Sequence, residues 1–246
     1  MEFLRTKRLL GLACVFAFFA ITSPLLARYM VEFLAAMVPA EEALAFIVPD
    51  PVWTDSYTQF YGNIVQLGTI TLILLFMGAI SAEKSRGTAD LVMTKGLSHV
   101  SFVLSKFTVM ALALLVTMAI SIGVVYGYTY MLFDMAGSMA DVFFGAVLSA
   151  LSLLMLVALT LFASAIAKSS VLAALLAFAG FLAISAVSAL PRIGNWLPGN
   201  LGARSLEITS GGGVHPDLWW NVGTTMLLTA VFLLLAVLVI RRREGE

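Results

Sequence analysis

One polar segment, residues 81–106, holds most of the charged side chains whose spacing could serve a specific interaction. On a helix, four of its residues fall at i, i+3, i+4 and i+7 and share one face, namely Glu83, Arg86, Gly87 and Asp90. Leu91 then begins an apolar shoulder on the same helix. Carboxylate and guanidinium groups on one face suit charge-assisted hydrogen bonds to another protein. The plainer interpretation is a solvated loop whose basic residues only set the topology.

The sequence lacks the common motifs of catalytic and nucleotide-binding sites. It contains no Gly-x-x-x-x-Gly-Lys-Ser/Thr, no Gly-x-Ser-x-Gly and no His-Glu-x-x-His. Cys14 is the only cysteine and lies in an apolar run, and His99 and His215 are far apart. We therefore predict no metal site, no directly bound cofactor and no enzymatic activity of its own. An intramembrane enzyme is the least favoured alternative.

The composition points to a membrane protein that must position these residues on helices. Of 246 residues, 61% are apolar and 11% are charged, whereas a soluble domain has about 45–50% and about 25%. Runs of about 18 or more uncharged residues predict spanning helices, and there are six: 9–27, 60–80, 107–132, 142–166, 171–190 and 219–240. We predict an all-α polytopic protein in which residues 1–246 form a single transmembrane domain.

The basic residues predict the orientation. Eleven of the fourteen Lys and Arg residues fall on the side that holds both termini, and the exceptions are Arg28, Arg192 and Arg204. By the positive-inside rule, both termini are predicted to be cytoplasmic. Acidic and basic residues balance to zero net charge, so no nucleic-acid partner is expected. The partner implied by the composition is the lipid bilayer.

Few polar groups fall inside the predicted spans. No Asp, Glu, Lys, Arg or His lies in the central part of any of them, which disfavours a self-powered carrier or channel. Asn63 and Gln66 lie near the outer end of the second span. They either line a pathway or form hydrogen bonds between helices, and the second interpretation is favoured.

Three connections are longer than turns. Residues 28–59 are predicted to form an amphipathic outer segment, broken at Pro39. Ser98 is a plausible N-cap for a helix of about 50 Å, which would exceed the hydrocarbon thickness. Residues 191–217 are rich in Gly and Pro, which favours a re-entrant or interfacial piece around 193–206, and Trp219 and Trp220 follow it at the predicted outer interface.

The chain resembles the ABC-2 type permease subunits of ABC exporters over essentially its whole length. The resemblance rests on the span count together with short motifs: Glu2-Phe3-x-x-x-Lys7-Arg8, Ser23-Pro24-Leu25-Leu26, Glu83-Lys84-x-x-Gly87-Thr88 followed by Leu91, Lys95-Gly96-x-Ser98, and Lys106. Gly96 and His99 depart from it, because the family usually has Pro and Arg there.

This resemblance implies a transmembrane half without a motor in a bacterial plasma membrane. Two copies of a cytoplasmic ATPase subunit would bind ATP and Mg²⁺, and a second permease, either a copy or a relative, would complete the complex. Residues 83–94 would form a cytoplasmic coupling helix. The residues that would contact the ATPase are Glu83, Lys84, Arg86, Gly87, Thr88, Asp90 and Leu91.

Two alternatives from other classes stay open. The chain could be a membrane scaffold or sensor that binds an ATPase-like partner without moving a substrate, or a stand-alone carrier. The cargo of an exporter is not specified, but spans rich in Leu, Ala, Val, Phe and Met favour a hydrophobic or amphipathic molecule.

Overall fold

The computed structural model describes residues 8–37, 50–85, 98–190 and 194–243, and these ranges contain helices and no strand. The α-helices are α1 (Arg8–Met37), α2 (Trp53–Asn63), α3 (Thr69–Phe76), α4 (Ser81–Ser85), α5 (His99–Phe133), α6 (Met139–Ile166), α7 (Ser170–Ser188), α8 (Leu201–Thr209) and α9 (Leu218–Arg243). A π-helical turn, Ile64–Gly68, joins α2 to α3, and two 3-10 turns, Gly194–Trp196 and Pro198–Asn200, precede α8.

Six helical stretches are long and apolar enough to cross a membrane, which confirms the predicted number. They are Arg8–Phe33, Trp53–Glu83, His99–Phe133, Met139–Ile166, Ser170–Ser188 and Leu218–Arg242. The second stretch therefore comprises α2, the π-helical turn, α3, the turn after it and the first three residues of α4. Backbone groups in hydrocarbon must be satisfied within the segment, so helices suit runs of this composition.

The first two spans are longer than predicted, and part of the predicted outer segment is wrong. Residues 28–37 continue α1, and residues 53–59 already belong to α2, while residues 38–49 with Pro39 lie outside the described part. Charged residues beyond the predicted ends of the two spans fit within these helices. Arg28 lies over the ring of Phe133, 5.9 Å from its centroid, and Asp55 accepts a hydrogen bond from the Val52 backbone N–H at 2.9 Å. Such capping favours an acidic residue in a first helical turn.

The predicted N-cap of the long helix that contains the third span is confirmed. Ser98 is the N-cap of α5, and its Oγ accepts a hydrogen bond from the backbone N–H of Ser101 at 3.2 Å. The helix has 35 residues and is about 50 Å long. It therefore extends beyond a hydrocarbon core of about 30 Å.

Helix α6 lies at the centre of the bundle. It packs against α9, α8, α7, α5 and α3, and 67% of the residues in its most apolar 18-residue stretch are buried. Rings of Phe162 and Phe232 stack between α6 and α9 at 6.0 Å. By contrast, 11% of the residues are buried in the corresponding stretch of α7, and 17% in that of α9. Most of their surface therefore faces the surroundings of this single chain.

The helices alternate in direction, so the bundle has two ends. We call them the α8 end and the α4 end, after the short helix at each. Arg28 and Arg204 lie at the α8 end, and the other described basic residues lie at the α4 end: Arg8, Lys84, Lys106, Lys168, Arg241, Arg242 and Arg243. Seven of the nine described basic residues thus lie at one end of the bundle.

Candidate functional site

The α4 end contains a break in the second span that a serine from another helix stabilises. Helix α3 ends at Phe76, and a turn over residues 77–80 leads into α4. The buried Ser164 of α6 donates a hydrogen bond from Oγ to the Met77 carbonyl at 2.7 Å. The same Oγ accepts from the backbone N–H groups of Ile80 and Ser81, both at 3.0 Å. One hydroxyl therefore satisfies backbone groups that the break would otherwise leave unpaired.

A second serine joins the same place from α7. The Oγ atoms of Ser81 and Ser170 are 3.3 Å apart, within hydrogen-bond distance. Gly78 allows this approach, because a Cβ there would lie 3.1 Å from Ser170 Oγ. We call Met77, Ile80, Ser81, Ser164 and Ser170 the Ser164 cluster. It links α4 to α6 and α7.

Glu83 links α4 to a third helix. Its Oε1 lies 2.5 Å from Nζ of Lys106 on α5, and Nζ also lies 4.9 Å from the centroid of the Phe102 ring. The Lys106 and Glu83 side chains are 18% and 24% exposed, so the pair is partly screened by solvent. Helix α4 is therefore attached to α5, α6 and α7 at the point where the chain enters residues 86–97.

The structure describes only part of the predicted coupling segment. Glu83 is on α4, and the backbone of Lys84 continues that helix. The other predicted contact residues lie outside the described residues, namely Arg86, Gly87, Thr88, Asp90 and Leu91. Sequence reasoning missed the roles of Ser164 and Ser170, since a serine in an apolar run gives no sign of which backbone it will contact.

Asn63 and Gln66 are not brought together. Asn63 Nδ2 donates a hydrogen bond to Oγ of the buried Ser23 on α1 at 3.2 Å, so it joins two spans. Gln66 lies in the π-helical turn and is exposed. The π-helical turn between α2 and α3 contains one residue more than an α-helical turn. Such turns are frequent at functional sites.

At the α8 end, hydroxyl groups hold α8 against α6. Ser205 Oγ donates to the Gly145 carbonyl at 2.6 Å and lies 2.7 Å from Ser149 Oγ. Thr209 Oγ1 lies 3.4 Å from the hydroxyl of Tyr61 on α2. We call Tyr61, Gly145, Ser149, Ser205 and Thr209 the hydroxyl network. It is buried and contains no charged group.

Gly145 permits a close contact between α6 and α8. A Cβ there would overlap Thr209 Oγ1 and would lie 2.8 Å from the Ser205 carbonyl oxygen. Only a residue without a side chain fits such a contact. The 3-10 turns before α8 are held by α9, because Thr224 Oγ1 donates to the Trp196 carbonyl at 2.7 Å and Asn221 Nδ2 donates to the Leu197 carbonyl at 3.0 Å.

A cavity of about 100 Å³ lies beside the hydroxyl network, between the second span, α6, α7 and the turns before α8. Its lining is mainly apolar with several hydroxyl groups, and among the described residues it includes no charged side chain. The lining residues are Tyr61, Ile64, Val65, Thr69, Ser149, Ser152, Leu153, Met155, Leu156, Phe181, Ile184, Ser185, Pro198, Gly199 and Gly202.

Comparisons with known proteins support the assignment to a membrane. The uncharacterized transmembrane protein YxlG of Bacillus subtilis (strain 168) is 25% identical to this chain over 250 residues, covering 100% of this chain and 95% of YxlG. A family model described as a protein of unknown function (DUF2705) matches residues 10–244. With its six apolar helices, the chain is a multi-pass membrane protein and belongs to the DUF2705 family.

Proposed function

We propose that this chain is the membrane-spanning permease subunit of an ATP-driven exporter of the ABC-2 type. A separate cytoplasmic ATPase subunit would dock at the α4 end and supply the energy. Two ATPase copies and a second permease, either this chain or a relative, would complete the assembly. Both termini would then be cytoplasmic, in a plasma membrane. The ABC-2 resemblance of the sequence motivates this proposal.

The observation that carries the proposal is the attachment of α4 to three other helices. Ser164 and Ser170 connect the break before α4 to α6 and α7, and Glu83 connects α4 to α5. A partner that pushed on residues 86–97 would therefore move several spans together. Coupling between distant sites needs such a connected element with two arrangements.

The charge at the α4 end is also suited to a protein partner. Arg8, Lys106, Lys168, Arg241 and Arg242 lie there, and Lys168, Arg241 and Arg242 are exposed. In this proposal, residues 83–94 form the coupling helix, Glu83 accepts from a basic group, Arg86 pairs with an acidic group and Gly87 permits close backbone approach. The outer segment with the 3-10 turns and α8 would be a re-entrant piece on the far side.

The first experiment is purification of the tagged chain from its native host in mild detergent, with mass spectrometry of the proteins that remain bound. We expect a soluble protein carrying a phosphate-loop motif. It should be lost when Glu83 and Arg86 are both replaced by Ala. Glu207→Ala is the matched control, because Glu207 also forms an ion pair, with Arg204 at 3.0 Å, but lies at the α8 end.

A second experiment separates contact with the ATPase from the internal ion pair. Glu83→Ala and Lys106→Met each break the pair, so equal losses of ATPase stimulation would mean that only the pair matters. We expect Glu83→Ala to reduce stimulation more, because it also removes a partner contact. Unchanged ATPase stimulation and unchanged export in Glu83→Ala would contradict the proposal.

A membrane scaffold or sensor is the competing function. It would retain an ATPase-like partner in the first experiment, but no added cargo would change the ATPase rate of the reconstituted complex. A chain that retained no nucleotide-binding partner under mild conditions would instead point to a stand-alone carrier.

A further inference from the structure

We propose that the cavity beside the hydroxyl network binds an uncharged amphiphile, whose apolar part fills the cavity and whose polar group forms a hydrogen bond with Ser152. This site lies within one chain and does not depend on the proposed ATPase. It extends from the α8 end to the middle of the bundle and shares no residue with the Ser164 cluster. The inference therefore stands or fails separately from the proposed function.

The lining specifies an uncharged ligand. Ile64, Leu153, Leu156 and Phe181 supply apolar surface, and no charged side chain contributes among the residues described. A charged ligand would lose its hydration without gaining a counter-charge, which is unfavourable. Small-molecule sites are typically concave and apolar with a few convergent polar groups, and this cavity has that character.

Ser152 indicates that the ligand carries a hydrogen-bonding group. Its Oγ is buried and has no hydrogen-bond partner among the described residues. Other hydroxyls of α6 are satisfied: Ser149 by Ser205, Thr160 by the Leu156 carbonyl, and Ser164 by the backbone before α4. A buried polar group without a partner is costly, and a donor or acceptor on a ligand would remove that cost.

The cavity reaches the side of the bundle rather than only its interior. Val65, in the π-helical turn, is 47% exposed, and Phe181 and Ile184 of the sparsely packed α7 are partly buried. Pro198, Gly199 and Gly202 lie on its other side. An amphiphile could therefore enter from the surrounding bilayer between the π-helical turn and α7.

The volume sets the size of the bound part. A cavity of about 150 Å³ lined by apolar side chains binds benzene, so about 100 Å³ suits a short alkyl stretch. The rest of a longer molecule would extend towards Val65 and the lipid. A linear alcohol has both features, an apolar chain and one uncharged hydrogen-bonding group.

The test is photolabelling of the purified full chain in detergent with a diazirine-bearing linear alcohol and with the alkane of equal length. We expect the alcohol to label peptides spanning 149–156 and 181–185 more strongly than the alkane does. Ser152→Ala should reduce alcohol labelling by about three- to tenfold, the range of one buried hydrogen bond, and should leave alkane labelling unchanged. Equal labelling by the two probes, or an equal response of both to Ser152→Ala, would overturn the proposal.

Two further variants test whether the probes bind in this cavity or elsewhere on the chain. Ser185→Phe fills the cavity from α7, whose sparse packing should tolerate the larger side chain, and should abolish labelling by both probes. Val147→Phe adds the same bulk to α6 at a position that is 62% exposed, and should leave labelling unchanged. Labelling that persists in Ser185→Phe would place the probe elsewhere and contradict the proposal.

Lipid extraction distinguishes the two sources of such a ligand. A resident bilayer lipid would remain on the purified wild type and would be lost from Ser185→Phe. An exchangeable molecule, such as a cargo, would leave no retained lipid while the alcohol still labels the site. Both results support the proposal, whereas no retained lipid together with no labelling would refute it.

Discussion

At the α8 end, hydroxyl groups from three helices pair with one another and with the Gly145 carbonyl, whereas the α4 end combines the Ser164 cluster with charged side chains. The hydroxyl network at the first end is buried and uncharged. The second has exposed basic residues and leads into residues 86–97. Within one small bundle, one end is thus suited to binding an apolar molecule and the other to contacting a charged protein.

The difference teaches how a membrane protein without central charges can still be asymmetric. The polar groups near the middle of the bundle are neutral and mostly paired, as hydrocarbon requires. The ion pair and the exposed basic groups lie beyond it, where water and a partner can reach them. The comparison yields four predictions, from the largest expected effect to the smallest.

Gly145→Ala should damage the α8 end most. The new Cβ would overlap Thr209 Oγ1, so α8 must shift and the hydroxyl network must break. We expect a loss of about 1–3 kcal/mol in the free energy of unfolding, measured by denaturation in detergent micelles. Gly123→Ala is the control, because a Cβ there meets nothing within 4 Å. If both variants lost the same stability, the close contact at Gly145 would have no special role.

Ser164→Ala should weaken the α4 end by leaving the Ile80 and Ser81 N–H groups unpaired. The expected cost is about 1–3 kcal/mol, and hydrogen exchange at residues 77–85 should accelerate. Ser105→Ala is the matched change on α5, because the Ser105 hydroxyl contacts only the Phe102 carbonyl of its own helix at 3.0 Å among the contacts described. Slow exchange retained in Ser164→Ala would mean that the break is stabilised by other contacts.

Asn63→Leu and Gln66→Leu should have different effects, although the two polar residues are only three positions apart in the sequence. Asn63→Leu removes the contact with Ser23 and should cost about 0.6 kcal/mol, typical of an interhelical hydrogen bond. Gln66→Leu should leave the unfolding of the isolated chain unchanged or improve it, since Gln66 is exposed. A large loss in Gln66→Leu would show that its side chain contacts another chain in the sample.

The Glu83–Lys106 pair should contribute least to stability. Both side chains are partly exposed, so a double-mutant cycle with Glu83→Gln and Lys106→Met should give about 0.2–1 kcal/mol. The coupling energy should fall as salt is added, because screening weakens an accessible pair. A salt-independent value of several kcal/mol would place the pair in a drier environment than its exposure indicates.

Parts of the site were predictable because they follow from local pattern. Ser98 was identified as an N-cap since it precedes a long apolar run. Glu83 was singled out because it shares one helical face with Arg86, Gly87 and Asp90. Arg28 misled the prediction, because a run-length criterion treats every charge as a boundary, and Asp55 lay outside the predicted second span, which began at Phe60. Their contacts with Phe133 and with the Val52 N–H show charges accommodated within helices.

Other parts were invisible because identical residue types play different roles. Thr160 and Ser164 are one turn apart in the same apolar run, yet one hydroxyl contacts its own helix and the other stabilises a break in a different span. Gly123 and Gly145 both lie in apolar runs and look alike in the sequence. In the structure, only Gly145 faces another helix at close range.

The sequence by itself determined that this is a helical membrane protein with six apolar helices, because hydrocarbon thickness sets the length of an apolar run and unpaired backbone groups enforce helices. The tertiary structure alone decided which hydroxyls pair across helices, which glycine permits close approach and where a cavity remains. Those features depend on neighbours that are tens of residues away in the chain, such as Ser81 and Ser164 or Gly145 and Ser205. Only packing brings such residues together.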